Sequence, residues 1–241
     1  MSERIKHEIE HGKKLLAEGA ESIWNWASPA GQVRAERRAD FFTEQARIKE
    51  SDHVLEIGCG TGLFTRKVYS RTKANITAID ISEELLEEAR KLLPEATFKI
   101  DDAMNLSFSD NSFDVVFGSS VLHHLEMEKS LREILRVLKP GGRMVFAEPN
   151  MINPQILVQK NVPFIKKWLG DSPDESAIIR WKFSSLMSKI GFKKVYIFPY
   201  DFLHPFTPKA FIPLVNGVGK IIEKLPVLRE IAGSVIIYGE K

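Results

Sequence analysis

From residue 53 onward, short apolar runs alternate with stretches whose apolar residues recur every three or four positions. The runs are "HVLEIG" (53–58), "NITAID" (75–80), "ATFKID" (96–101), "FDVVFGS" (113–119), "RMVFAE" (143–148), "KVYIFP" (194–199) and "SVIIYG" (234–239). Most are nearly continuous in apolar residues, as expected of strands buried on both faces. Between them the spacing predicts helices at 62–72, 83–93, 129–138 and 184–190. Leu85, Leu86, Ala89, Leu92 and Leu93 share one helical face, with Ser82 as N-cap and Pro94 just beyond the end. Leu131, Ile134, Leu135 and Leu138 repeat the pattern, and "KPGG" (139–142) stops that helix. Gly191 falls where a helix is closed by a left-handed glycine. Strand–helix–strand units of this length fold as an α/β, doubly wound, mostly parallel sheet of seven strands with right-handed crossovers.

Before residue 53 the pattern is helical. Residues 1–26 carry Ile5, Ile9, Leu15, Leu16, Ile23 and Trp24 among charges, and a Pro-Ala-Gly turn precedes a second helix at about 33–49. Two segments break the alternation, 151–182 and 200–232, both bearing proline and aromatic residues. They read as insertions into one domain spanning 1–241, with an N-terminal helical cap (1–50) and a core at 51–150.

Composition narrows the function classes. The chain has 241 residues and is 44% hydrophobic and 27% charged, which is ordinary for a globular enzyme and argues against disorder. Its 34 basic and 32 acidic residues give a net charge of +2 and are interspersed, so no basic field points to nucleic acid. A single cysteine, Cys59, forms no intrachain disulfide. The first residues lack the apolar centre of a signal peptide, and no apolar stretch approaches the ~18 residues of a membrane span. A cytoplasmic protein is expected, and its oligomeric state is not set by these features.

The chemistry begins at "LEIGCGTG" (55–62), a glycine turn after the first strand. A dinucleotide fingerprint needs glycine at position 63, which is Leu63, and a triphosphate loop needs Gly-Lys-Ser/Thr, which is absent. Both phosphate readings weaken. Glycines allow close backbone approach to a bulky group, and Glu56 beside the turn suits a cation and repels a pyrophosphate. Asp80 ends the second strand, where a carboxylate can accept hydrogen bonds from both hydroxyls of a ribose. NAD-binding folds place an acid similarly, so an NAD-linked oxidoreductase and a non-catalytic binding protein remain as alternatives.

The turn resembles the first motif of class I S-adenosylmethionine-dependent methyltransferases, an acid two residues before G-x-G-x-G, matched here by Glu56, Gly58, Gly60 and Gly62. "IDDAMNLSF", "FDVVFGSSVLHHL" and "LREILRVLKPGGRMVFAEPN" resemble later motifs of that family in the same order. The resemblance covers about residues 53–150 and implies a Rossmann-like methyltransferase fold with S-adenosyl-L-methionine as cofactor. It implies contacts from Glu56, Gly58, Cys59, Gly60, Gly62, Asp80, Ile81, Asp102, Ala103 and Ser119, with Asp102 and Ala103 at the adenine.

The acceptor is expected to be a small molecule or a carrier-linked group, shaped by the two insertions. Oxygen is favoured over nitrogen or carbon because a hydroxyl acceptor needs a base and two histidines follow the fourth strand. His123 and His124 are the catalytic candidates, with His124 equally readable as a packing residue. Glu148 and Asn150 read as a turn acid and an Asx turn, and His204 as a turn histidine. Arg34 or Arg37 is a candidate for the cofactor's carboxylate, while Trp24 and Trp26 read as packing residues. "HEIEH" (7–11) matches a zinc-protease pattern but offers no third ligand, so no metal is expected. The apolar, lightly basic stretch 210–228 leaves peripheral lipid contact open.

Overall fold

In the computed structural model, which describes residues 19–162, 164 and 177–241, each of the seven apolar runs is a strand. They are β1 (His53–Ile57), β2 (Asn75–Asp80), β3 (Thr97–Ile100), β4 (Phe113–Ser119), β5 (Leu138–Pro149), β6 (Lys193–Tyr200) and β7 (Ser234–Glu240). The sheet order is β3-β2-β1-β4-β5-β7-β6, with β7 antiparallel to both its neighbours and the other pairs parallel. β1 and β4 are buried on both faces, which is why their sequences show no polar alternation.

The helices are α1 (Ala20–Ile23), α2 (Pro29–Gln45), α3 (Leu63–Thr72), α4 (Glu83–Leu92), α5 (Met127–Val137), α6 (Pro154–Asn161), α7 (Arg180–Ile190) and α8 (Ile212–Ile222). α5 buries Leu131, Ile134 and Val137 against the sheet, each such side chain contributing about 1.5–3 kcal/mol. Gly191 closes α7 at φ 123°, its N–H donating to Met187 O, as the sequence predicts.

Several local expectations change. α2 starts at Pro29, not 33, because Ser28 caps it by accepting from Gly31 N, with proline at the first helical position. Ser82 precedes α4 but makes no side-chain cap, its hydroxyl donating instead to Glu84. "KPGG" is not a free turn, since β5 already pairs at Leu138 with Phe113 and the strand carries an irregularity there, with Gly141 at φ 77°. α7 begins at Arg180, inside the segment read as an insertion. Most of the first expected helix, with "HEIEH" at 7–11, lies outside the described residues. Among the described residues no three His, Cys, Asp or Glu side chains group as a metal site.

Candidate active site

Strand order reverses between β1 and β4, and their following connections diverge. A crevice must open there at the carboxyl ends of the strands. It holds a cavity of about 750 Å³, room for a nucleoside-sized ligand beside a second small molecule.

The glycine turn forms one wall. Gly58, Gly60 and Gly62 all take positive φ, at 68°, 53° and 77°. A Cβ on Gly58 would lie 2.5 Å from Val121 Cγ2, and one on Gly60 would lie 2.9 Å from the Trp24 ring. The cradle therefore exists only without side chains. The N–H groups of Gly58 and Cys59 donate to Ile79 O at 2.8 and 3.0 Å, and Gly60 N–H donates to Asp80 Oδ2 at 2.9 Å. Asp80 Oδ1 accepts from Ser82 N at 3.0 Å, so turn and carboxylate fix each other.

Asp80 and Ile81 line the cavity, as do Asp102, Ala103 and Met104 after β3 and Ser119 at the end of β4. Asp102 Oδ1 accepts from Met104 N at 2.9 Å, setting that corner. Asp80, Asp101, Asp102 and Asp201 outnumber Arg34 and Lys160 in the lining, and no Lys or Arg falls within 58–62, which suits a ligand carrying hydroxyls and positive charge. This donor set fits an adenosyl sulfonium and does not fit a pyrophosphate. Cys59 also lines the wall, but burial, then the Asp80 charge, pushes its thiol well up, so it remains a protonated packing group.

Two expected contacts lie elsewhere. Gly62 starts α3 behind the wall, where a Cβ would meet Ala89 Cβ at 3.1 Å, so its smallness serves helix packing. Glu56 is 1% exposed and absent from the cavity wall, with the Thr65 hydroxyl donating to its carboxyl. Burial, reinforced by the Asp80 charge and opposed by Thr65, raises its pKa to about 8. In the ligand-free protein this shift favours the neutral acid, which ties β1 to α3 through Thr65.

Stability follows from that shift. A raised folded-state pKa means the contribution is complete below the unfolded value near 4.5 and drains between there and about 8. Each pH unit within this window costs on the order of 1 kcal/mol. Glu56→Gln should therefore flatten the melting temperature of the ligand-free protein between pH 5 and 8, while the parent loses stability. Parallel curves for the two proteins would refute the buried-acid account.

The segment after β4 packs on the glycine turn through Val121, and His123 and His124 both line the cavity. His123 Nδ1 lies 2.7 Å from Glu148 Oε2, and Glu148 Oε1 accepts from Val121 N and Leu122 N at 2.9 Å each. Glu148 is 0% exposed; burial alone would raise its pKa, but His123 and the two backbone donors hold it below the usual range. His123 is shifted down, by burial first, with Glu148 opposing. At neutral pH the pair is a carboxylate and a neutral imidazole whose proton sits on Nδ1. Nε2 makes no protein hydrogen bond among the described residues. The His124 ring lies 4.2 Å from that of His123.

Glu148 is thus more than a turn acid, and sequence reasoning missed its role. Asn150 matches its structural reading: Oδ1 accepts from Ile152 N, and Nδ2 donates to Glu230 O and Ala232 O. Arg37 turns away from the cavity to pair with Glu223. Arg34 lines the cavity with its Nε donating to Asp201 Oδ2 at 2.7 Å. Trp24 and Trp26 stand on the wall, Trp26 edge-on to Phe64 at 5.3 Å. His204 lines the rim, accepting from Phe206 N through Nδ1.

A second residue was missed. Arg38, 2% exposed, reaches from α2 beneath the floor and donates to Tyr200 OH, Ser119 Oγ, Ser120 Oγ and Ser234 Oγ at 3.0, 2.8, 2.9 and 3.2 Å.

Comparison with known proteins agrees with this fold. The family model for the methyltransferase domain matches residues 55–146. An uncharacterized methyltransferase-like protein of Schizosaccharomyces pombe is 28% identical over 187 residues, 78% of this chain and 72% of its own. An O-methyltransferase of Penicillium expansum is 34% identical over 134 residues, 51% of this chain, which spans only 49% of that relative. Phosphoethanolamine N-methyltransferase 2 of Haemonchus contortus, solved with S-adenosyl-L-methionine, superposes with a TM-score of 0.65 at 20% identity, covering 92% of this chain and 55% of that one.

Proposed function

We propose that the chain is a class I S-adenosylmethionine-dependent methyltransferase and that it methylates a hydroxyl oxygen of a small-molecule or carrier-linked acceptor, with His123 as general base. The observation that carries this reading is the 2.7 Å contact between His123 Nδ1 and Glu148 Oε2 at the cavity wall. S-adenosylmethionine, when bound, supplies a methyl group on a positively charged sulfur. Gly58, Cys59 and Gly60 would hold it by backbone approach, with Asp80 at the ribose, Ile81, Asp102 and Ala103 around the adenine and Ser119 opposite.

The chain's own task is then to position the acceptor and remove its proton. Glu148 keeps the His123 proton on Nδ1, leaving the Nε2 lone pair to take a hydroxyl proton. A base so placed serves a hydroxyl, whose proton must leave as the O–CH3 bond forms, whereas a neutral amine is nucleophilic before it loses a proton. The acceptor side of the cavity comes from the two segments outside the core motifs: Asn153, Gln155, Ile156 and Gln159 of the α6 region, and Phe202–Phe206. Closing alignment of acceptor and methyl contributes about 7–11 kcal/mol toward the barrier.

Two measurements test the reading. Calorimetry should show binding of S-adenosylmethionine and none of NAD. A labelled-methyl assay over phenols, amines and enolisable carbons should give turnover with hydroxyl acceptors; transfer to amines alone would refute the oxygen assignment.

A further inference from the structure

α8 is apolar on both sides. Its inner face packs through Ile212 and Gly219, with Gly219 against Phe202. Its outer face carries Leu214, Val218 and Ile221, continued by Phe211 before it and Leu225 after it, at spacings of three, four, three and four. These five are 64%, 45%, 62%, 57% and 44% exposed, respectively. A helix apolar all round is ordinarily buried, so this outer stripe is built for a partner.

The charges around the stripe identify the partner. Lys209, Lys220 and Lys224 are exposed and pair with no carboxylate among the described residues. At 100° per residue Lys220 lies on the helix flank, about 130° from the centre of the stripe, and Lys224 follows just past the helix end. The acid of this helix end, Glu223, faces inward, paired with Arg37 and accepting from Asp201 N. Apolar side chains flanked by lysines, with the acid withdrawn, complement an anionic lipid surface. A second copy packed on the same face would set one lysine row against another. Phe206, 73% exposed, stands at the cavity rim five residues before Phe211.

We propose that the outer face of α8, with Phe206, Phe211 and Leu225, docks the protein peripherally on anionic lipid membranes. No helix among the described residues is long and apolar enough to cross a membrane, so docking is by one face only. The proposal goes beyond methyl transfer, and its test reads binding alone.

Flotation with vesicles of phosphatidylcholine, and of phosphatidylcholine with phosphatidylglycerol, provides the test. The protein should float with the anionic vesicles, at least tenfold better than with neutral ones, and release at high salt. Leu214→Glu with Ile221→Glu should abolish flotation without lowering the melting temperature, since both side chains are exposed. Lys220→Glu and Lys224→Glu should each weaken partition about fivefold or more. Equal recovery with both vesicle types, or none with either, overturns the proposal. So does a dimer in sedimentation that Leu214→Glu dissociates, which would assign the stripe to a second copy.

Discussion

His123→Ala should lower kcat by a factor of about 10²–10⁴ at neutral pH, and Glu148→Gln should cost nearly as much although it changes one atom type. The second result follows from the hydrogen-bond directions. Glu148 Oε1 accepts from two backbone N–H groups, and Oε2 faces His123 Nδ1. In a glutamine the carbonyl must take the backbone pair, so the amide NH2 faces Nδ1. That arrangement needs Nδ1 unprotonated and drives the proton to Nε2, where it blocks the base. The parent kcat/KM should fall on the acid side only below the ordinary histidine value, because burial holds His123 down. Affinity for S-adenosylmethionine, read by calorimetry, should be unchanged in Glu148→Gln, since Glu148 lies outside the cavity wall. Turnover near the parent level in both variants would leave positioning alone to carry the reaction.

The reach of the sequence can be judged from particular residues. The strands were legible because each is a local run of apolar residues, and so were the places of the glycine turn and Asp80, which follow from the ends of β1 and β2. Helix starts were less legible where a cap decides them: Ser28-Pro29 was visible, but the apolar period reads clearly only from Val33. The place of Glu56 behind the cavity wall was not legible, because its buried partner is Thr65, nine residues along. Glu148 stayed hidden because its partner His123 lies 25 residues earlier, on another strand's loop. Arg38 did leave a signal. It falls among Ala35, Ala39 and Phe42, all buried on one face of α2, and an arginine on such a face must find partners inside.

Those partners make the second large prediction. Arg38 joins α2 to the end of β4, to β6 and to β7 through four hydroxyls and pairs with no carboxylate among the described residues. Its guanidinium also stands 4.9 Å from the Trp26 ring. Ser120, one of the four, holds a left-handed φ of 54°, a conformation that costs a non-glycine residue about 1–3 kcal/mol unless its surroundings enforce it. The next two residues supply the N–H groups that orient Glu148. A lysine at 38 keeps the charge but cannot span four acceptors. Arg38→Lys should therefore free Ser120, shift the Glu148–His123 pair, and lower kcat roughly a hundredfold, the usual consequence of about 1 Å of misplacement. The unpaired hydroxyls should cost about 3 kcal/mol, or roughly 6–12 °C in melting temperature. Rescue separates positioning from plain destabilisation. Glycine adopts this φ without strain, so Ser120→Gly in the Arg38→Lys background should recover part of the turnover while the melting temperature stays low. Were turnover to follow melting temperature alone through all these variants, Arg38 would be a structural residue and nothing more.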